Sequence, residues 1–267
     1  MRRYLEIYAI MFRNSLIREM NFKTNFLLWI LVEALWFMGQ IVFIEVLFQY
    51  VNQIGDWTKW EMILLVGTHQ LISQVFQAFF YLNIVNIPEL VRTGRMDFMM
   101  LLPMDTQFAI STRQFGLDSV INAGVSVAII GLALAKLGLR PTPGQVVLYA
   151  AAVGVGITIH YSIMFLLTTF SFWIVRAQGL VYGYYNIFNI ARYPDSIFRQ
   201  APVIKFVFSW VIPVILVANV PARVLVHADS GSLGWRLAQM VAAALIILTV
   251  TRCVWKVALS RYTSASS

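Results

Sequence analysis

Two carboxylic acids and one imidazole stand within long hydrophobic stretches of this chain. Glu33 and Glu45 belong to the first stretch, and His69 belongs to the second. If these stretches cross a membrane, groups that bind protons or cations face protein or water rather than lipid. The three side chains therefore predict either a site for protons or ions, or buried groups that each receive a hydrogen bond from a neighbouring helix.

Amide and hydroxyl side chains form a polar stripe along the second hydrophobic stretch. They recur at i, i+3, i+4 and i+7, as Gln70, Ser73, Gln74 and Gln77. Residues at this spacing share one helix face, and within a membrane that face turns towards other helices or a cavity. Plain hydrogen bonds between helices would explain the same pattern. The candidate lining of a polar path or gate consists of Glu33, Gln40, His69, Gln70, Gln74 and Gln77.

No catalytic motif accompanies these residues. The sequence contains no G-x-x-x-x-G-K-[ST] loop for ATP, no H-E-x-x-H and no G-x-S-x-G. The three histidines lie on separate segments without ligand spacing, and a single cysteine, Cys253, excludes an internal disulfide. We therefore predict no catalytic residue, no metal site and no cofactor in this chain, and we expect that it is not an enzyme.

The composition indicates an integral membrane protein. Hydrophobic residues make up 60% of the 267 positions, and charged residues make up 12%. Several runs exceed the roughly 18 apolar residues that cross a bilayer as a helix. The formal charge of +8 comes from basic residues at segment ends, where they set topology and contact anionic lipid. We predict membrane lipid as a partner and no nucleic acid.

The hydrophobic pattern predicts one all-α membrane domain, 1–267, with an amphipathic interfacial helix over 1–25. Its apolar stripe contains Leu5, Tyr8, Phe12 and Leu16. Six spans follow, at about 26–51, 61–85, 108 or 113–136, 145–173, 177–193 and 233–255. The last part of the break before the third span, around Arg113, is assigned to that span. Basic residues precede the first span and follow the last, which predicts that both termini lie in the cytoplasm.

A polar break over 86–107, between the second and third spans, predicts two short cytoplasmic helices. Asn86 and Glu89 have the spacing of a capping box, with Pro88 in the first turn. Gly94 closes this helix in a left-handed conformation. A second helix runs from Met96 to Leu102 and stops at Pro103. Such a segment predicts a docking surface.

A second interruption, over 194–229, predicts outer-face helices that enter the membrane and return. Pro194 and Pro213 bracket part of this segment. Prolines and non-helical backbone at membrane depth require shielding by protein or a cavity. Counting this segment as a full span would give seven spans and an outside carboxyl terminus, so the six-span topology is preferred.

Three local sequences, in order, resemble those of the permease subunits of prokaryotic type-two ABC exporters. The stretch RTGRMDFMMLLPM is similar to a cytoplasmic family pattern, G-x-(L/M)-D-x-(L/M)-(L/M)-L-x-P. YPDSIFRQAPVIKFVFSWVIP resembles the segment that follows the fifth span, and RYTSASS resembles a carboxyl-terminal tail of one branch. The order of spans along the whole chain matches as well.

The resemblance implies a mechanism and partners. A second permease chain, identical or related, would complete the path in the prokaryotic cytoplasmic (inner) membrane. A separate cytoplasmic ABC ATPase subunit would bind ATP and magnesium. Residues 194–229 would form the outer gate, and the interfacial helix would flank the ATPase. The expected ATPase-coupling residues are Pro88, Glu89, Arg92, Gly94, Arg95, Asp97, Phe98, Met99 and Pro103, with Met100 in the apolar part of the contact.

An ion-coupled secondary transporter that uses Glu33, Glu45 and His69 is the alternative hypothesis. The sequence lacks the internal repeat and the matched broken helices typical of that class. A membrane enzyme of lipid metabolism or a membrane anchor would be further possibilities. The sequence identifies no substrate, although lateral entry between packed spans suits a lipid-like or amphipathic compound.

Overall fold

The computed structural model describes residues 2–21, 23–174, 178–227 and 231–262. Nearly all of them are helical, so the predicted all-α class is confirmed. The α-helices are α1 (Arg2–Asn21), α2 (Lys23–Leu47), α3 (Lys59–Phe76), α4 (Leu82–Ile84), α5 (Ile87–Arg92), α6 (Met96–Met100), α7 (Thr106–Ser111), α8 (Leu117–Leu137), α9 (Pro143–Thr169), α10 (Gln178–Phe188), α11 (Pro202–Phe206), α12 (Val214–Val226) and α13 (Leu233–Arg261).

Five helical segments within the described residues are long and apolar enough to cross a membrane. Helical backbone suits a bilayer because every amide finds its partner within the segment. The five are Lys23–Leu47, Lys59–Arg92, Leu117–Leu137, Pro143–Phe172 and Leu233–Arg261. The predicted short fifth span over 177–193 corresponds to α10 and a 3₁₀ segment, Asn189–Arg192, which are shorter than these five. The six-span count stays a prediction.

The boundary between the interfacial helix and the first span differs from the prediction. The sequence pattern extended the interfacial helix to residue 25, but α2 begins at Lys23 because polar residues are compatible with a first helical turn. The helix ends at Leu47 rather than Val51. Its last residues tighten into turns, in which the Gln49 amide donates to the Val46 carbonyl (3.1 Å).

Helix α3 is the centre of the bundle. It packs against α8, α9 and α12, and most of its side chains are buried. Gly67 permits close contact with α8, because a Cβ at this position would lie 3.0 Å from the Ile130 side chain. After Phe76 the helix continues through a π-helical segment, Gln77–Tyr81, into α4. The last residue of the predicted polar stripe, Gln77, therefore lies where the regular α-helix ends.

The helices run up and down, so the bundle has two ends. We name them after the acidic residues that they carry. The Asp56 end contains the loop between α2 and α3, where Lys136 of α8 lies over the Trp60 ring at 6.0 Å. The Asp105 end contains the short helices α5 to α7, where Arg252 of α13 contacts Asp105. The topology prediction places the Asp105 end in the cytoplasm.

Residues 194–227 contain a pair of helices with a sharp bend between them. A 3₁₀ segment, Asp195–Gln200, leads into α11, which continues as a π-helical segment, Val207–Val211. The chain then turns by 86° into α12. Pro213 directly precedes α12 at this bend. The backbone therefore reverses direction, as expected for the outer segment. Helix α12 approaches α9 closely at Gly156, because a Cβ there would lie 2.8 Å from the Val217 carbonyl oxygen.

Candidate functional site

The segment 86–107 forms two short helices, as predicted, but the predicted capping box is wrong. Asn86 has helical backbone angles and no capping bond, because α4 runs almost directly into α5. Its Nδ2 donates back to the Leu82 carbonyl at 2.6 Å. The Glu89 carboxylate instead accepts from Arg92 Nε (2.9 Å) and Nη2 (2.7 Å).

Gly94 has the predicted left-handed conformation at the end of the first short helix. Its φ of 69° lies in the left-handed region, which side-chain-bearing residues adopt at a cost. The second helix, α6, ends at Met100 rather than at the predicted Leu102. Pro103 lies exposed in the turn beyond it, where the Met104 amide donates to the Leu102 carbonyl at 2.7 Å.

Some residues of these two helices are buried in the bundle, whereas others are exposed. Ile87, Pro88 and Met96 are buried. Three large apolar residues in α6 and directly after it are exposed, and we call them the exposed patch: Phe98 (67% exposed), Met100 (41%) and Leu101 (79%). Large exposed apolar residues grouped within four positions indicate an interaction site.

The other predicted coupling residues surround the exposed patch. Arg92 and Arg95 are exposed, whereas Asp97 is half-buried. Met99 is also half-buried, and its Sδ accepts a hydrogen bond from Arg113 at 3.5 Å. The structure thus brings the predicted residues together, but Met99 lies outside the patch and Leu101, which the sequence analysis left out, belongs to it.

The chain beyond Pro103 is tied to two long helices. The Asp105 carboxylate accepts from both terminal nitrogens of Arg252 on α13, and Arg252 Nη1 also donates to Gln107 Oε1 at 2.6 Å. Gln107 Nε2 donates to the Tyr161 hydroxyl of α9 at 3.1 Å, and that hydroxyl lies 2.8 Å from Ser111 Oγ. The hydrogen bond from Arg252 lowers the pKa of Asp105 against the effect of its partial burial.

The link between α7 and α8 forms a second anchor. Arg113 lies in this link and not in the third span, because α8 begins only at Leu117. Asn83 exchanges two hydrogen bonds of 2.8 Å with the Gln114 backbone. The Gly116 amide donates to the Ala78 carbonyl at 2.9 Å within the π-helical segment, where a π-helix frees carbonyl groups from the regular ladder.

Helix α1 contacts the same link. Ser15 Oγ accepts from the Phe115 amide at 3.1 Å. The rings of Tyr8 and Phe12 meet the Phe115 ring edge-on, at centroid distances of 4.9 and 5.4 Å. The first helix is therefore part of the structure that surrounds the short helices. The sequence carried a signal for Asp105, an acidic residue directly before a short helix, but none for the π-helical segment.

The candidate path residues do not form one continuous lining. His69, Gln70 and Gln74 are buried within the chain, and the His69 ring lies 4.9 Å from the Phe188 ring. Gln74 Nε2 donates to Glu33 Oε2 at 3.1 Å. Glu33 and Gln77 line one small cleft of about 270 Å³, whereas Gln40 lines another of about 570 Å³.

Glu45 is ion-paired with Lys59, whose Nζ lies 2.9 Å from Glu45 Oε1. Together with the Gln74–Glu33 hydrogen bond, this favours the interpretation in which each carboxylate is satisfied by a neighbouring helix. Within the described part of the chain, no group of three or more His, Cys, Asp or Glu residues could hold a metal ion.

The outer segment is held by a buried arginine. Arg223 of α12 is 4% exposed, and its Nη2 lies 2.7 Å from Asp195 Oδ1 and 3.0 Å from Asp56 Oδ2. Asp195 also pairs with Arg236 of α13. The Arg223 guanidinium lies over the Trp57 ring at 5.0 Å. We call this set, Asp56, Asp195, Arg223 and Arg236, the Arg223 cluster.

Burial raises the pKa of Asp56, but hydrogen bonds from Ser196 and Arg223 and the Arg223 charge outweigh that effect and lower it to about 2. Burial likewise opposes ionisation of Asp195, and the charges of Arg223 and Arg236 lower its pKa. Pro194 precedes Asp195 at the start of the 3₁₀ segment. The sequence analysis missed this cluster, although an arginine within the apolar run VILVANVPARVLV was a visible signal.

The comparison with family models decides the class of protein. The model described as ABC-2 family transporter protein matches residues 34–266. The chain belongs to the ABC-2 transporter family. This ABC-2 permease is a multi-pass membrane protein and a permease subunit of an ABC exporter. Neither the curated proteins nor the solved structures that were compared with it include a match.

Proposed function

We propose that this ABC-2 permease couples to a separate cytoplasmic ABC ATPase through residues 88–103. The exposed patch carries the proposal: Phe98, Met100 and Leu101 are exposed on a segment that the buried side chains of Ile87 and Met96 hold in the bundle. Apolar side chains that are exposed at a protein–water boundary are stabilised when a partner covers them. Arg92 and Arg95 flank the patch and would provide charged contacts at its rim.

The anchors explain how docking would move the spans. The short helices connect to α13 through Asp105 and Arg252 and to α9 through Gln107 and Tyr161. The link that follows them connects through Asn83 to α4, which continues from α3 through the π-helical segment. A displacement of the patch is therefore transmitted to three long helices. ATP and magnesium would act on the partner subunit, where closure of the ATPases would shift the short helices and tilt the spans.

A second permease chain, identical or related, would complete the translocation path. Helix α2 supports this proposal, because only Phe37 and Ile44 of its 25 residues are buried. Residues 194–229 would form the outer gate, with the Arg223 cluster holding its closed arrangement. Basic residues in α1 and at the end of α13 favour cytoplasmic termini in a prokaryotic inner membrane.

Purification of the tagged full-length permease from its native membranes tests the proposal. We expect an ABC ATPase to co-purify in a stoichiometric amount. Arg95→Glu, Asp97→Arg and Gly94→Pro are expected to leave the spans folded and ATP hydrolysis present, while abolishing nucleotide-driven movement of the spans. Unchanged movement in all three variants, or proton-driven transport by the chain alone, would contradict the proposal.

A further inference from the structure

The helical segment Pro202–Val211, which we call the descending arm, is the first half of the bent helix pair. A cleft of about 410 Å³ lies at the Asp56 end, between the descending arm, the start of α12 and the start of α13. We call it the Lys205 cleft. Its charged lining residues are Asp195, Arg199, Lys205 and Arg236. Its aromatic lining residues are Phe206, Trp210 and Trp235.

The cleft has an excess of positive charge that the protein leaves available. Both oxygens of the one carboxylate, Asp195, are engaged by Arg223 and Arg236. Lys205 has no ion-pair partner within the described residues. Arg199 is 64% exposed and reaches Asp56 only at 3.6 Å. Two cationic side chains thus face a space in which an anion gains charge-assisted hydrogen bonds.

The apolar lining distinguishes a lipid from a free anion. Phe206, Trp210 and Trp235 are 59%, 40% and 68% exposed, and tryptophan is enriched where protein meets the head-group region of a membrane. Towards the bend, Ile215 and Leu216 continue the lining. The cleft therefore passes from charged to apolar surface, as a phospholipid passes from its phosphate to its acyl chains.

We propose that the Lys205 cleft binds an anionic phospholipid, with Lys205 and Arg199 at the phosphate and Trp210 and Trp235 beside the glycerol and upper acyl chains. A lipid in this position would bridge the descending arm and α13. The outer segment would then respond to the composition of the surrounding leaflet. This site is independent of ATPase docking at the opposite end of the bundle.

The test measures lipid binding by the full-length protein in detergent, using phosphatidylglycerol with brominated acyl chains to quench tryptophan fluorescence. Lys205→Gln is compared with Arg140→Gln, which removes one exposed positive charge from the turn between α8 and α9. We expect Lys205→Gln to weaken phosphatidylglycerol binding roughly fivefold and Lys205→Arg to retain it. Arg140→Gln should bind like the unmodified protein.

Two further binding measurements identify the ligand. Phosphatidylcholine is expected to bind more weakly, because its choline cation faces the same basic residues, and millimolar inorganic phosphate is expected not to displace phosphatidylglycerol. Equal losses in Lys205→Gln and Arg140→Gln would overturn the proposal. So would equal binding of the two lipids, or displacement by phosphate, which would identify a site for the free anion.

Discussion

Asp105 and Arg252 form an ion pair although 147 positions separate them in the sequence. Asp105 also accepts the Phe108 amide at 3.0 Å and so caps α7, while Arg252 belongs to the last long helix. The contact joins the segment that presents the exposed patch to a helix that extends to the opposite end of the bundle. It connects the segment of the proposed docking surface to a span by a direct ion pair.

Neutralising the two charges, singly and together, tests this connection. Asp105→Asn keeps a good N-cap residue but removes the ion pair, and we expect a stability loss of only about 0.5–1 kcal/mol because both side chains are partly exposed. Arg252→Gln should have a similar effect. The double variant should lose less than the sum of the two, as measured by thermal unfolding in detergent. Additive losses would show that the two residues do not interact.

Substitutions at two positions of α6 distinguish an effect on docking from an effect on folding. Phe98→Ala removes a side chain that is 67% exposed, so the thermal stability of the permease alone should not change while retention of the ATPase falls. Met96→Ala removes a fully buried side chain and should lower stability by about 2–4 kcal/mol. Full ATPase retention by Phe98→Ala would contradict the role of the exposed patch.

The Gln74–Glu33 hydrogen bond gives a prediction about the buried carboxylate. Glu33→Leu leaves the Gln74 amide without this partner and should cost roughly 1–3 kcal/mol. Adding Gln74→Leu should recover part of that loss. A proton-coupled mechanism would instead make Glu33→Gln inactive while its fold stays intact, so ATP-dependent movement of the spans in Glu33→Gln distinguishes the two interpretations.

The Arg223 cluster predicts the effect of acid. Because the pKa of Asp56 is lowered from 3.8 to about 2 in the folded protein, its ionised form stabilises the fold above the unfolded pKa. That contribution is lost as the pH falls from about 4 towards 2. Thermal unfolding of the permease and of Asp56→Asn should therefore differ at pH 7 and converge in this acidic range. A constant difference down to pH 2 would contradict the assignment.

Removal of the Arg223 side chain should lower the stability of the fold strongly. Arg223→Leu leaves Asp56 and Asp195 without their shared partner, and loss of one member of a buried ion pair costs about 3–5 kcal/mol. Arg236→Gln serves as the matched control, because Arg236 is more exposed and Asp195 keeps Arg223. A smaller loss in Arg223→Leu than in Arg236→Gln, by thermal unfolding, would rule out the proposed role of Arg223.

The sequence alone predicts the parts of this fold that depend on local chemistry. Long apolar runs identify the spans, and Gly94 identifies the turn between α5 and α6. The capping box failed because α4 continues into α5, so that Asn86 never adopts an extended conformation. Local spacing does not reveal whether a helix stops before a cap.

Contacts between distant residues could not be predicted in the same way. The pairing of Asp105 with Arg252, and of Arg223 with Asp56 and Asp195, depends on how the helices pack. The same holds for the surroundings of the polar stripe. Burial of Gln70 and Gln74 within the chain follows from the packing around α3, which spacing does not specify.

Photo-crosslinking at position 98 tests the central claim most directly. A photo-reactive phenylalanine analogue replaces Phe98 and, in a control protein, the comparably exposed Phe206 at the Asp56 end. Membranes are irradiated and the adducts are identified by mass spectrometry. We predict an adduct with an ABC ATPase at position 98 and none at position 206. An ATPase that co-purifies but forms no adduct at position 98, or forms one at position 206, would contradict the account.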